Sequence, residues 1–286
     1  MYHLVSMAEM VTEKISDLVS IERTVLNTEA TTPYVSFTMP AYNEEDNIER
    51  TVRECQDGFN KASIAGVPSK SESNGGKWGE IVVTNDCSKD RTGEILRALQ
   101  HEMPNLVVVT HHGKNQGYGR ALSDAIQASR GQYIATIDSD GQFDPNDLPN
   151  LLDSLDSGSD PDCVAGFRKK KKDSFIRVFA DRGLNFIVRT LFGIKHRDTN
   201  CAFKLIRGDI LRNLNIETNG FQTPTEIILK LNAMGKSMVE CGVTHRDREE
   251  GTSKLRVVKT SVDFLRFLFY LRTKIGLYRK GILAKL

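Results

Sequence analysis

The feature that most constrains this chain is a rhythm: short β-rich runs alternate with segments whose apolar residues recur at helical spacing. YVSFTM (34–39) is followed by a polar turn and then by NIERTVRECQDGFNKA, with its apolar residues on one helical face. EIVVTN (80–85), RTGEILRALQHE, NLVVVT (105–110), the segment after Gly119 and GQYIATID (131–138) repeat the pattern. Such alternation predicts an α/β domain built on a mostly parallel sheet with right-handed crossovers. The loops at the carboxyl ends of those strands should then form the ligand crevice. Each carries polar chemistry: Pro40-Ala41-Tyr42-Asn43-Glu44-Glu45, then Asn85-Asp86-Cys87-Ser88, then His111-His112-Gly113-Lys114-Asn115, then Asp138-Ser139-Asp140.

Composition narrows the function classes. The chain has 286 residues, 39% hydrophobic and 27% charged, enough to bury a core as one large domain. A net charge of +2 is too balanced for a protein that binds nucleic acid over its whole surface. The cysteines, Cys55, Cys87, Cys163, Cys201 and Cys241, are odd in number and lack a CxxC pair. That argues against a disulfide framework or structural zinc and fits a reducing, cytosolic setting. Glu9, Glu13, Asp17 and Glu22 make residues 1–32 unlike a secretion signal or transit peptide, and that stretch reads as a helical lead-in. No stretch of ~20 uninterrupted apolar residues predicts a spanning helix.

The acids at the end of the fourth run point to a cation. In extended backbone, side chains two apart leave on the same side, so Asp138 and Asp140 share a face, and a turn at Gly141 brings Gln142 beside them. Adjacent carboxylates repel unless a cation lies between them. Mg²⁺ commonly takes one or two protein carboxylates and completes its shell with water and substrate phosphate oxygens. Asp144, before Pro145, reads instead as a helix cap, as does Asp90 before RTGEIL. Lys114 through Gly119 places a cation and two glycines before a helix N-terminus, where a phosphate is favoured. That loop is neither GxGxxG nor GxxxxGK[ST], so a dinucleotide or Walker site is poorly supported.

Taken in order, VSFTMPAYNEEDNIERTV, IVVTNDCSKDRTGEIL, HGKNQGYGRAL, IDSDGQFDPNDL, DTNCAFKLIRGDIL and HRDREEGTSKL resemble family 2 glycosyltransferases of the GT-A fold. The similarity is greatest to dolichol-phosphate mannosyltransferases and polyprenyl-phosphate glycosyltransferases, and runs from about Tyr34 to Leu255. It implies a single Rossmann-like domain that moves a sugar, mannose or glucose, from a GDP- or UDP-linked donor onto a polyprenyl or dolichyl phosphate with inversion. By the same resemblance Pro40, Tyr42, Glu44 and Asp86 hold the nucleotide, Lys114 lies on the donor side, and Asp138, Asp140 and Gln142 hold Mg²⁺ or Mn²⁺ and the diphosphate. Arg168, Arg182, Arg248 and Lys254 would grip the acceptor phosphate, for which a guanidinium is well shaped. Relatives often have Asp-Asp where this chain has Asn85-Asp86. This bears on which nucleotide is chosen, since Asn both donates and accepts.

A lipid phosphate is already an anion, so its attack on the sugar needs no general base. Asp198 is the base candidate if the acceptor is an alcohol; a structural turn acid is the competing reading. Lys169 to Lys172 read as a solvated loop. The expected organisation is a lead-in at 1–32, the transferase domain at 33–255 and a basic amphipathic segment at 256–286. The last carries Arg256, Lys259, Arg266, Arg272, Lys274, Arg279, Lys280 and Lys285 against one acid, Asp263. It is expected to lie on an anionic membrane surface at the cytoplasmic face, or else to pack as a terminal helix. The alternatives are a same-fold transferase acting on an alcohol in a polysaccharide, glycolipid or protein, and a non-catalytic nucleotide-sugar-binding protein.

Overall fold

The structure is a computed structural model that describes residues 19–23, 32–66, 79–156, 158–169, 175–247 and 257–286. For 19, 21–23, 175–182 and 257–261 it describes the backbone but not the side chains. Among the described residues the strands are β1 (Val19–Arg23), β2 (Val35–Ala41), β3 (Gly79–Asn85), β4 (Leu106–His111), β5 (Tyr133–Thr136), β6 (Cys163–Arg168), β7 (Lys204–Arg207) and β8 (Met238–Val243). The helices are α1 (Ile48–Ile64), α2 (Thr92–Glu102), α3 (Tyr118–Ala128), α4 (Leu148–Leu155), α5 (Phe175–Phe192), α6 (Gly208–Arg212), α7 (Thr223–Ala233) and α8 (Val257–Arg279).

All strands join one sheet in the order β1-β4-β3-β2-β5-β7-β6-β8. β4, β3, β2 and β5 run parallel to one another, as the alternation predicts. β7 is antiparallel to both β5 and β6, so β6 again runs with β5 and delivers Arg168 to the same rim as Asp138. β8 pairs parallel with β6. The expected helical lead-in is corrected at Val19–Arg23, which is a strand on the β4 edge, antiparallel, with Val19 opposite His111. The valine and isoleucine of VSIER suit a pleated surface, and an unpaired β4 edge gives them a partner.

Side-chain alternation assembles the core on both faces. Val35, Phe37 and Met39 of β2 meet Ile81 and Val83 of β3 and, from α1, Ile48, Val52 and Phe59. Phe37 lies 5.1 Å from Phe59 and 6.2 Å from Phe203, ring centre to ring centre. On the other face Ile134, Ile206, Leu122 and Ile126 pack with Ile227 and Leu231 of α7. Truncating a buried phenylalanine such as Phe37 to alanine costs about 3–5 kcal/mol in such a core. Cys55, Cys163 and Cys201 are buried free thiols, and burial pushes Cys163 and Cys201 up to about 12.

α8 packs along Phe264, Leu268, Leu271 and Ile275, a stripe at helical spacing that joins the α7 cluster. Lys274 Nζ lies 2.6 Å from Glu217, and the Tyr270 hydroxyl donates to the same carboxylate at 3.0 Å. The terminal-helix reading of this segment is therefore the structural one for that stripe. Val262, Phe269, Tyr270 and Ile282 remain exposed, interspersed with exposed Arg266, Arg272 and Lys280. No helix among the described residues is long and apolar enough to cross a membrane.

Candidate active site

Loops after β2, β3, β4 and β5 meet at one rim because their strands are parallel. Asn43, with φ of 53°, turns the chain after β2, donates its amide to Ser88 Oγ at 3.0 Å and accepts from the Lys89 amide at 2.8 Å. Glu44 donates its amide to Thr92 Oγ1 at 2.9 Å, and its carboxylate accepts from Asn47 at 3.0 Å. Tyr42 and Glu44 are half-buried beside this seam. Asp90 caps the start of α2, taking the Thr92 amide at 3.0 Å. Burial works against its ionisation, but the Thr92 hydroxyl and amide hold its carboxyl below the usual range.

The acidic segment is bolted down from both sides. Ser139 Oγ donates to the Pro40 carbonyl at 2.7 Å, and Thr51 Oγ1 donates to the Ser139 carbonyl at 3.1 Å. Gly141, at φ of 72°, makes the turn, and the Gln142 amide donates back to Asp140 Oδ1 at 3.1 Å. The Gln142 carbonyl accepts from the Arg246 amide at 2.7 Å, and Phe143 forms an isolated bridge with His245. Arg246 then reaches Glu54 at 2.8 Å and Asp144 at 2.7 Å. Burial disfavours the Asp144 carboxylate, yet the Arg246 guanidinium and Asn146 hold it below the ordinary range. Asp144 is thus a cap, accepting from the Asn146 amide at 3.0 Å, and an ion-pair partner. Sequence reasoning named Arg248 nearby and missed Arg246; Arg248 and Lys254 lie outside the described residues.

Asp138 accepts from the Tyr118 hydroxyl at 2.7 Å. Burial pushes its carboxyl above the ordinary range, against the Tyr118 hydrogen bond and the charges of Arg168 and Lys204, while Glu44 adds to the rise. Lys204 is wholly buried within β7, donates to the Thr199 and Cys201 carbonyls, and burial lowers its amine from the usual value. The sequence gives one hint of this lysine, a charge inside the apolar run CAFKLI.

Asp86 departs from a simple ligand-binding role. Its Oδ1 meets His111 Nδ1 at 2.7 Å and the Gln116 amide at 2.8 Å, while Oδ2 accepts from the Gly117 amide at 2.8 Å. Both oxygens are engaged by the protein, and the side chain is 3% exposed. The glycines after Lys114 also prove to serve packing. A Cβ on Gly117 would lie 2.5 Å from the Asn219 carbonyl, and one on Gly119 1.8 Å from the Thr218 carbonyl. Lys114 is exposed in the loop before them.

At the end of β6, half-buried Arg168 and buried Asp198 form a bidentate pair, Nε to Oδ2 at 2.7 Å and Nη2 to Oδ1 at 2.9 Å. A carboxylate gripped on both oxygens by a guanidinium is a poor proton acceptor, which favours the turn-acid reading of Asp198. The side chain of Arg182 lies outside the described residues.

The carboxylates of Asp138 and Asp140 and the side-chain carbonyl of Gln142 are hard oxygen donors of the kind that Mg²⁺ or Mn²⁺ would take. Among the described residues no group of three or more His, Cys, Asp or Glu side chains could enclose a metal.

In an open α/β sheet the ligand crevice lies at the carboxyl ends of the parallel strands, where this chain carries its paired-acid loop. Residues 36–214 match the profile of Glycosyl transferase family 2, and the chain belongs to that family. It is 28% identical over 229 residues to an undecaprenyl-phosphate 4-deoxy-4-formamido-L-arabinose transferase of Edwardsiella ictaluri, covering 80% of this chain and 65% of that protein. The chain thus spans just under two thirds of that relative's length. A dodecaprenyl-phosphate galacturonate synthase of Rhizobium johnstonii is 27% identical over 84% of this chain and 68% of its own. Among solved structures, glucosyl-3-phosphoglycerate synthase of Mycobacterium tuberculosis with UDP superposes at a TM-score of 0.56 and 19% identity, covering 93% of this chain and 90% of that one. The same enzyme with Mn²⁺, UDP and phosphoglyceric acid gives 0.55 at 19% identity, over 88% and 80%. The chain shares the GT-A fold with these structures.

Proposed function

We propose that this protein transfers a sugar from a nucleotide diphosphate to a polyprenyl or dolichyl phosphate, with inversion. The observation that carries the reading is the Asp138/Asp140/Gln142 turn, braced from β2, α1 and Arg246, on a family 2 frame. The similarity to an undecaprenyl-phosphate and a dodecaprenyl-phosphate sugar transferase supports a polyprenyl phosphate acceptor. They carry different sugars, and mannose or glucose is the sugar proposed here.

In the reaction an acceptor phosphate oxygen forms a bond to the anomeric carbon as the bond from that carbon to the donor diphosphate breaks. The nucleoside diphosphate leaves with the electron pair. Asp138 and Asp140, with Gln142, would hold a divalent ion, which when bound neutralises charge on the leaving diphosphate. Pro40, Tyr42, Glu44, Asp86 and Lys114 are proposed to form or support the nucleotide side. Arg168, aimed by Asp198, is proposed to meet the acceptor phosphate, with Arg182, Arg248 and Lys254. Since that phosphate arrives ionised, positioning and electrostatics supply the rate and no side chain needs to remove a proton. The exposed face of α8, where Phe269 stands among Arg266 and Arg272, with Lys280 and Ile282 just beyond its end, is proposed to rest on an anionic cytoplasmic leaflet.

The test is transfer from GDP-mannose, UDP-glucose and a UDP-linked uronic acid to a short polyprenyl phosphate with Mn²⁺ or Mg²⁺. Product from one donor, abolished by chelator, is expected. Asp198→Asn is expected to raise the acceptor KM while leaving the pH profile of kcat in place. Donor turnover onto an alcohol, with no lipid product, would replace the acceptor assignment.

A further inference from the structure

His111, the last residue of β4, is wholly buried between two carboxylates: Nδ1 is 2.7 Å from Asp86 Oδ1, and Nε2 is 2.7 Å from Asp124 Oδ2. Ionised carboxylates only accept hydrogen bonds, and a neutral imidazole carries a single N–H. Both short contacts are satisfied together only by the imidazolium. The charged groups facing the ring are Asp86 from the end of β3 and Asp124 from α3, with Arg120 of α3 paired to the same Asp124 oxygen at 2.8 Å. Burial alone would strip the ring of its proton, but the two carboxylates outweigh burial and push the pKa up to about 9.

The contact continues toward the acid pair. Asp86 also accepts from the amides of Gln116 and Gly117, which lead directly into Tyr118, the first residue of α3. The Tyr118 hydroxyl donates to Asp138 at 2.7 Å, and its ring packs on Phe221 at 5.5 Å between centroids. An unbroken series thus runs from Asp124 through His111, Asp86 and the 116–117 backbone to Tyr118 and Asp138.

We propose that His111, hydrogen-bonded to Asp86 and Asp124, is a positioning residue for the donor site: it fixes the Gln116–Tyr118 turn and, through Tyr118, the orientation of Asp138. The inference rests on the donor-site reading of Asp138 given above. Asp86 accordingly acts as a brace, its carboxylate spent on holding the turn. Removing the imidazolium leaves buried Asp86 and half-buried Asp124 each short of one donor, and the turn loosens.

The test compares wild type, His111→Gln, whose side chain donates from one side only, and Asp124→Asn. Three quantities are measured: UDP affinity by calorimetry at pH 7.5, amide hydrogen exchange at Gln116 and Gly117, and the His111 ring titration by nitrogen NMR. His111→Gln is expected to weaken UDP binding about tenfold, in line with partners that orient ligand-binding groups from behind, and to speed exchange at both amides. Asp124→Asn is expected to move the ring titration to lower pH, since it removes a carboxylate that favours the cation. The proposal is overturned if His111→Gln keeps wild-type UDP affinity and exchange, or if Asp124→Asn leaves the ring titration where it was. Should His111→Gln fail to fold, the half-buried Asp124→Asn site decides by the same exchange and titration. Wild type binding neither UDP nor GDP would sink the donor reading, while the exchange arm would still decide whether His111 holds the turn.

Discussion

The ends of β3 and β5 carry acids at matching places on the same rim, and the protein treats them differently. Asp86, after β3, is engaged on both oxygens by His111 and two backbone amides. Asp138, after β5, accepts from one phenol and is held above the ordinary carboxylate range by its burial. The first has its hydrogen-bond partners within the protein. The second sits with Asp140 in the loop that we propose takes a cation and a diphosphate. A motif's residue types say that acids lie at the rim; their partners decide which acid braces and which binds.

This contrast can be broken most severely at β5. Asp140→Asn should reduce transfer on the order of a thousandfold, about 4 kcal/mol of barrier, with an unchanged unfolding midpoint, read by steady-state assay and thermal melting. At β3 the sign of the effects should reverse. Asp86→Asn leaves the His111 cation short of a partner inside the protein and should cost about 3 kcal/mol of folding stability, measured by urea unfolding.

The pH dependence of stability sharpens the same point. His111 has its pKa raised in the folded state from 6.5 to about 9. Its contribution is therefore complete below about 6.5, fades as pH rises, and is gone above about 9. The difference in urea midpoint between wild type and His111→Gln should shrink over that interval. A constant difference from pH 6 to 10 would speak against a buried imidazolium. Smallest is Tyr118→Phe, which deletes one hydrogen bond to a charged group. It should raise the donor KM by an amount equivalent to about 1.5 kcal/mol, with kcat nearly unchanged.

Much of the fold was legible because it rests on local period. The strands ending at Ala41, Asn85, His111 and Thr136 lie close to where alternation and turn residues put them. β7 and β8 were not, since KLIR is four residues long with a lysine in it and MVECGV places Glu240 mid-strand. Their strand state comes from pairing with β5 and β6, which no local pattern encodes. VSIER was misread within the lead-in for the same reason, its state depending on the free edge of β4.

At the site, the turn at Gly141 could be read directly, because a glycine after a short acidic run marks a change of chain direction. The braces could not. Glu54 and Arg246 meet from positions far apart in the chain, and Glu217, Glu226, Lys230 and Lys274 form a buried charge cluster joining α7 to α8. The glycines of the third loop mislead in an instructive way: small residues near a helix start signal close approach, but what approaches is the Thr218–Asn219 backbone.

The most direct test of the division between bracing and binding acids is Mn²⁺ binding in the presence of UDP, followed by electron paramagnetic resonance for wild type, Asp140→Asn and Asp86→Asn. The account predicts a UDP-dependent bound-Mn²⁺ signal in wild type, its loss in Asp140→Asn, and its survival in folded Asp86→Asn at weakened UDP affinity. Undiminished Mn²⁺ binding by Asp140→Asn, or loss confined to Asp86→Asn, would contradict it.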